Sequence, residues 1–462
     1  MVYANKNKRS IGCRGGNVPR LFYAILANSL VVALINTFVW FAITFWVYLE
    51  TTSVIATATM AGVYTIIVAV SGVLLGSLVD RYPKKAVMLL SSLTSLGLYL
   101  IAGSVYWATP AATFRDPTSP QLWVVIIVSL LGAIVGNLRT IALATLVTIL
   151  VPEAIRDKAN GLVGTANGIA FLVASIFSGL AIGLLGVFWV FGLAIGLMVL
   201  AIAHLLTLAL PNALSEHQAT EPQPIDLAGT IQAIRRVPGL FGLIFFNTFN
   251  NFLGGIFMAL MDAYGLSLMS VEVWGALWGF LSLGFIVGGL IVARTGLGRS
   301  PLRTLFLANI AMWTSSMFFT LHPSIILLTV GLFIWLCLIP AVEAAEQTIL
   351  QKVIPAERQG RVFGFAQSVE QAASPITAFV IGPIAQLLFI PFMTTGAGVG
   401  LIGGWFGTGT DRGLALLFTV AGCVGLCVTL LAMQSYSYRM LSQSYLTPLA
   451  EPVLPEIRSS YD

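Results

Sequence analysis

Gly76-Ser-Leu-Val-Asp-Arg-Tyr-Pro-Lys-Lys85 decides the architecture, because it sets one aspartate and three basic residues between two long apolar runs, 54–79 and 86–107. Each run is long enough to cross a bilayer, which takes roughly 20 apolar residues in a helix. Helix is also the conformation that satisfies every backbone group of such a segment internally. The charged stretch is therefore a short loop at a membrane surface. Further runs lie outward from it at 21–49, 123–150, 159–185, 187–210, 240–263, 273–293, 302–321, 325–349, 362–390 and 414–433. The first, Leu21 to Leu49, exceeds a signal-peptide core and lacks a small-residue cleavage site after it, so it reads as a retained helix.

Composition agrees. Of 462 residues, 58% are hydrophobic and 9% charged, against roughly 25% charged in soluble domains. A water-facing fold could not solvate its surface with so few charges. The reading is an all-α integral membrane protein of about twelve helices. Its most polar interruption, Pro211 to Val237, separates six runs from six. The expected organisation is an N-terminal tail (1–20), a six-helix half (21–210), a central linker (211–239), a second six-helix half (240–435) and a C-terminal tail (436–462).

With the N-terminus inside, 20 of the 23 lysines and arginines fall on inner segments, Arg115 and Arg412 fall on outer loops, and Arg139 falls inside a helix. That bias predicts both termini in the cytoplasm. It also excludes nucleic acid as the target of the net charge of +5, since the basic residues are spread over short loops where lipid headgroups lie. Shifting the chain by 203 positions sets Leu146-Val-Thr-Ile-Leu-Val-Pro152 against Ile349-Leu-Gln-Lys-Val-Ile-Pro355, Lys158 on Arg361, Gly161 on Gly364 and Gly179 on Gly382. Parallel six-helix repeats of this kind place a substrate site at their interface near the midplane.

The loop at 76–85 resembles the G-x-L-x-D-R-x-G-[RK]-[RK] signature of the major facilitator superfamily, with Pro83 in place of the usual glycine. The second-half counterpart, Gly288-Gly-Leu-Ile-Val-Ala-Arg294, keeps glycine and a basic residue but has lost the aspartate. Local features resemble the macrolide-efflux branch, similar to drug:proton antiporters. These are Val151-Pro152 before Ala159-Asn160-Gly161, then Gly360-Arg361-Val362-Phe363, Ser374-Pro375, Gly382-Pro383, Pro391, Gly403 and Gly407-Thr-Gly-Thr-Asp-Arg-Gly413. The Gly-Pro antiporter motif of the fifth helix is largely absent, its place reading Ala174-Ser-Ile-Phe-Ser-Gly179. The resemblance implies two pseudo-symmetric six-helix halves, alternating access, a small-molecule substrate, protons as a coupling partner, membrane lipids around a monomer, and a bacterial inner membrane. Import, uniport or lipid flipping on the same fold stay open.

The resemblance further implies that Asp80 meets the start of the eleventh run near Val362, where unpaired N–H groups favour an anion. Gly76, Asp80, Arg81, Lys84 and Lys85 then form a gating motif, with the three cations facing carboxylates or lipid phosphates. A plain orienting loop is the alternative.

Charges inside the membrane cost roughly 2.5–3.5 kcal/mol on insertion scales, which makes them functional candidates. Arg139 lies mid-way along the fourth run, and Glu343 and Glu346 share one face of the tenth. The repeat sets Thr140 against Glu343, so Arg139 and Glu343 lie at one depth. Either Arg139 pairs with one of these glutamates when the pathway closes, or each charge is satisfied within its own half. Glu370 is about eight residues into the eleventh run, roughly 12 Å deep at 1.5 Å per residue, with Gln367, Gln371 and Ser374 around it. It either exchanges a proton or holds helices together. Asn28 and Asn36 in the first run, and Asn247 and Asn251 in the seventh, stand as substrate or interhelical hydrogen-bonders.

No nucleotide-binding G-x-x-x-x-G-K-[ST], nucleophile–base cluster or metal-spaced Cys/His set occurs in the chain. The expectation is a non-enzyme with no cofactor.

Overall fold

A computed structural model describes residues 19–51, 54–209 and 226–446. Cys13, His217, Arg458, the basic residues before Pro19 and most of both tails and of the linker lie outside the described residues. Among the described residues, the chain forms α1 (Arg20–Thr51), α2 (Val54–Arg81), α3 (Lys84–Ala108), α4 (Pro120–Leu150), α5 (Arg156–Leu180) and α6 (Val187–Thr207). The linker helix α7 (Leu227–Arg236) follows, then α8 (Leu240–Leu268), α9 (Val271–Thr295), α10 (Pro301–Phe318), α11 (Ile325–Val353) and α12 (Gln359–Ile384). Three short helices, α13 (Ile390–Thr394), α14 (Ala397–Leu401) and α15 (Gly403–Phe406), precede α16 (Thr410–Gln434) and the tail helix α17 (Tyr436–Leu446).

The helix ends follow local chemistry. Ser119, Ser300 and Ser324 each accept a backbone N–H three residues on, opening α4, α10 and α11, and Pro120 and Pro301 stand in first turns where no donor is needed. Among the described residues, eleven helices are long and apolar enough to cross a membrane. The ninth run falls short because Arg303, Asn309, Ser315 and Ser316 dilute its 18-residue helix, yet α10 packs between α11 and α16 as the twelfth member of the bundle.

The repeat is visible in backbone angles. Val151 at φ −107°, ψ 128° and Pro152 at −54°, 141° end α4, and Ile354 at −107°, 128° and Pro355 at −56°, 141° end α11. One 3-10 turn follows each, Glu153–Ile155 and Ala356–Arg358. A π-helical turn then interrupts each fifth helix, Ala181–Leu185 and Ala385–Phe389. Two copies of one local code thus give two copies of one chain path.

Apolar packing shows how the halves sit. One cluster, at the end of the bundle carrying the 76–85 loop, mixes both halves: Phe22, Val79, Leu146, Ala159, Leu240, Val292, Ile349 and Val362 belong to it. Toward the opposite end there are two clusters. One is built only from residues 32–201 and the other only from residues 253–421. The halves are fused at the basic end and parted at the other, with a crevice between them.

Candidate functional site

The basic end is closed by polar contacts between the halves. Asp80, 2% exposed at the end of α2, accepts the backbone N–H groups of Gly360 (2.6 Å) and Arg361 (2.9 Å) in the first turn of α12, and the Arg361 guanidinium stands 3.8 Å away. A carboxylate on the bare N–H groups of a helix start is a favourable charge–dipole contact. The approach needs Gly76, where a methyl would overlap the Gly360 carbonyl, and Gly364, where one would overlap that of Gly72. Beside it, Asn160 on α5 donates to Thr348 (2.8 Å) and Gln351 (3.0 Å) on α11, and Gln351 donates to the Ala144 carbonyl on α4 (3.0 Å). Lys352 pairs with Glu153 at 3.0 Å.

The two lysines of the loop also find backbone partners. Lys84 is buried and donates to the Val79 carbonyl, while Lys85 donates to the carbonyls of Leu206 (3.0 Å) and Leu208 (2.6 Å). Unpaired carbonyls at helix C-termini attract cations as carboxylates do, and here they are nearer. Arg81 is exposed over the Tyr82 ring.

A cavity of about 410 Å³ opens in the first half between α1, α4 and α5, with Trp40, Tyr64 and Phe171 giving it aromatic walls. Asn36, Asn137, Asn167, Thr37 and Thr140 make it polar in patches, and Arg139 brings its only charge among the described residues. Arg139 is 3% exposed and donates to Asn28, to Ser92 (2.9 Å) and to Ser29 (3.4 Å), all in its own half. It makes no ion pair with Glu343 or Glu346 in this structure, because neutral acceptors on α1 and α3 already hold it. Asn28 also donates to the Ala201 carbonyl (2.8 Å), tying α1 to α6, while Asn36 accepts from Tyr99 (2.8 Å) and reaches the cavity wall.

In the second half, Glu346 on α11, Glu370 on α12 and Asn247 on α8 converge, with Glu343 near enough to interact with both carboxyls. Glu343 is exposed while Ala344 and Ala345 beside it are buried. Asn247 is 5% exposed, yet neither amide atom makes a hydrogen bond of ordinary length, and one Glu370 oxygen is also without a partner. Asn251 is half-buried one turn along α8, and neighbouring Asn250 accepts from Trp313 at 2.8 Å. At the far end, Arg412, expected in an outer loop, is 2% exposed and donates to the Thr320 and Leu321 carbonyls after α10, with its guanidinium over Phe406.

The sequence profile of the Major Facilitator Superfamily matches residues 25–378. The chain belongs to that superfamily. It is similar to macrolide efflux protein A of Streptococcus pyogenes, 26% identical over 376 residues that cover 77% of this chain and 87% of that one. The enterobactin exporter EntS of Shigella flexneri is 23% identical over 329 residues, covering 71% and 76%. Among solved structures, the proton:xylose symporter XylE superposes with a TM-score of 0.65 at 14% identity, over 90% of this chain and 96% of that one. A bacterial homologue of ferroportin in an outward-facing state gives 0.61 at 13%, over 90% and 100%. These likenesses establish the fold.

In this major facilitator protein, Asn137, Asn167, Thr37, Thr140 and Tyr64 join the cavity without having been singled out from the sequence. Asparagines in an apolar run were the available signal, and Asn137 and Asn167 lie in the fourth and fifth runs. The Asn160–Thr348–Gln351 bridge spans 188 or more positions of chain, so only the fold reveals it.

Proposed function

We propose that the chain is a secondary active exporter that moves a small amphipathic or apolar compound out of a bacterial cell by alternating access, in exchange for protons. The basic end faces the cytoplasm, in line with the charge bias of the loops, and the state described above is outward-open. The single observation that carries the reading is the convergence of Glu346 and Glu370 with Asn247 and Glu343 in the second half, while the first half holds an aromatic, charge-poor cavity. Two adjacent carboxylates repel, and sharing a proton removes the repulsion. On this reading the acids of the second half exchange protons and the cavity of the first half holds the substrate. Separate sites in separate halves suit exchange, since closing the halves brings them together. Relatives named for efflux and export support the outward direction.

Everted membrane vesicles test it. Energised vesicles should accumulate an amphipathic dye, and collapsing the proton gradient should release it. Dye entry driven by its own gradient alone would assign a uniporter. Redistribution of a labelled phospholipid between leaflets, without dye transport, would assign lipid flipping.

A further inference from the structure

We propose that Asp157 is a second gating carboxylate, closing the α5–α9 side of the crevice as Asp80 closes the α2–α12 side; this rests on the reading of the Asp80 clasp as a gate. The two sides are related by the 203-residue repeat, which places Asp157 on Gly360, Lys158 on Arg361 and Gly161 on Gly364. On the first side the loop end brings the acid and the helix start brings the N–H groups. The loop after α9 has no acid where the repeat calls for one. Asp157, in the first turn of α5, fills that role from the opposite partner: its Oδ2 accepts the Leu297 N–H at 2.8 Å across 140 positions of chain. Its other oxygen accepts the Lys158 N–H at 2.8 Å. Donor and acceptor have changed places while the contact is kept.

The backbone is shaped for this contact. Gly296 ends α9 at φ +72°, a left-handed conformation that glycine adopts without cost, and it turns the next N–H toward α5. A methyl on Gly296 would meet the Asp157 carboxylate at 2.5 Å. The helices approach as closely as α2 and α12 do: a methyl on Gly161 would crowd the Ala293 N at 2.6 Å, and one on Gly289 the Thr165 N at 2.5 Å. The exchange has a consequence. Both gate carboxylates, Asp80 and Asp157, belong to the first half, and both sets of backbone donors belong to the second. Closure is polarised, and opening bares two acids on one half.

Spin labels at Ala154→Cys and Arg299→Cys, both exposed on opposite sides of this seam, report it by pulsed dipolar spectroscopy. The full chain is placed in lipid nanodiscs with its four native cysteines replaced by serine. The parent should show one dominant short distance. Asp157→Ala should raise the open-to-closed ratio about tenfold, the weight of one hydrogen bond to a charged group. Asp157→Asn, which keeps an acceptor and the side-chain shape, should raise it less. Gly296→Ala, which keeps the Asp157 carboxylate but pushes it off the Leu297 N–H, should match Asp157→Ala. Distance distributions of Asp157→Ala and Gly296→Ala that superpose on the parent while Asp80→Ala broadens would overturn the inference and leave the Asp80 gate standing. A shift with Asp157→Ala and none with Asp80→Ala would uphold it and remove the gate reading of Asp80.

Discussion

Replacing Asp80 by asparagine should open the basic end of the crevice, and the structure sets the size of the effect. The carboxylate is 2% exposed and takes two N–H donors, at 2.6 and 2.9 Å, from the first turn of a 26-residue helix. Asparagine offers one oxygen to those two donors, and its amide group faces the other donor. The closed state therefore loses one charge-assisted hydrogen bond and the charge–dipole contact, about 2–3 kcal/mol together. The open state, where water reaches both partners, loses little. At about 1.4 kcal/mol per tenfold, the closed-to-open ratio falls about 30- to 150-fold. A single cysteine at Val163, on the cavity wall beside the shared apolar cluster, reports this in everted vesicles through its reaction rate with an impermeant maleimide. The rate should rise by that factor in Asp80→Asn and further in Asp80→Ala. An unchanged rate in both variants would falsify the gate.

Other outcomes follow from the same contacts. Glu370→Gln should leave dye binding intact while uncoupling transport from the proton gradient, seen as loss of dye-induced proton movement in everted vesicles; coupling that survives the substitution removes Glu370 from the proton path. Arg139→Met leaves Asn28 and Ser92 without their donor inside the first half. It should lower stability by about 2–4 kcal/mol, read as a drop in the thermal midpoint of the purified protein, whereas an unchanged midpoint means the arginine is not structural. Gly76→Val collides with the Gly360 carbonyl and should reproduce the maleimide reactivity of Asp80→Ala; parent-like reactivity would show that α2 and α12 need not touch. Asn160→Ala removes the bridge to Thr348 and Gln351 and should raise cytoplasmic access to Val163→Cys by less than Asp80→Asn does.

Much of the fold was legible because its signals are local. The twelve apolar runs announce helices within their own lengths, and the paired Pro152 and Pro355 mark where each fourth helix of a half must end. Among the described helices of the bundle, α10 falls short in apolarity, with six polar residues in 18 positions. The Asp80 clasp was legible through the resemblance of the 76–85 loop to the superfamily signature. Partner choice was not. Arg139 stood as a candidate to cross to Glu343, yet serines and an asparagine on α1 and α3, 47 to 111 positions away, satisfy it first. The backbone partners of Lys84 and Lys85 were not legible either, since no side-chain pattern displays the helix-end carbonyls that accept from them. Asp157 was invisible for a similar reason. The loop after α9 carries no aspartate, and the acid that replaces it arrives from a helix packed alongside.

The halves, sealed at the basic end and parted at the other, should expose one cavity to one side at a time. Asn167, exposed on the cavity wall, tests this as a lone cysteine probed with an impermeant maleimide in right-side-out and everted vesicles. Reaction from the extracellular side with protection from the cytoplasmic side is predicted, with the two reversing in Asp80→Ala. Equal reaction from both sides, or none from the extracellular side, contradicts the account.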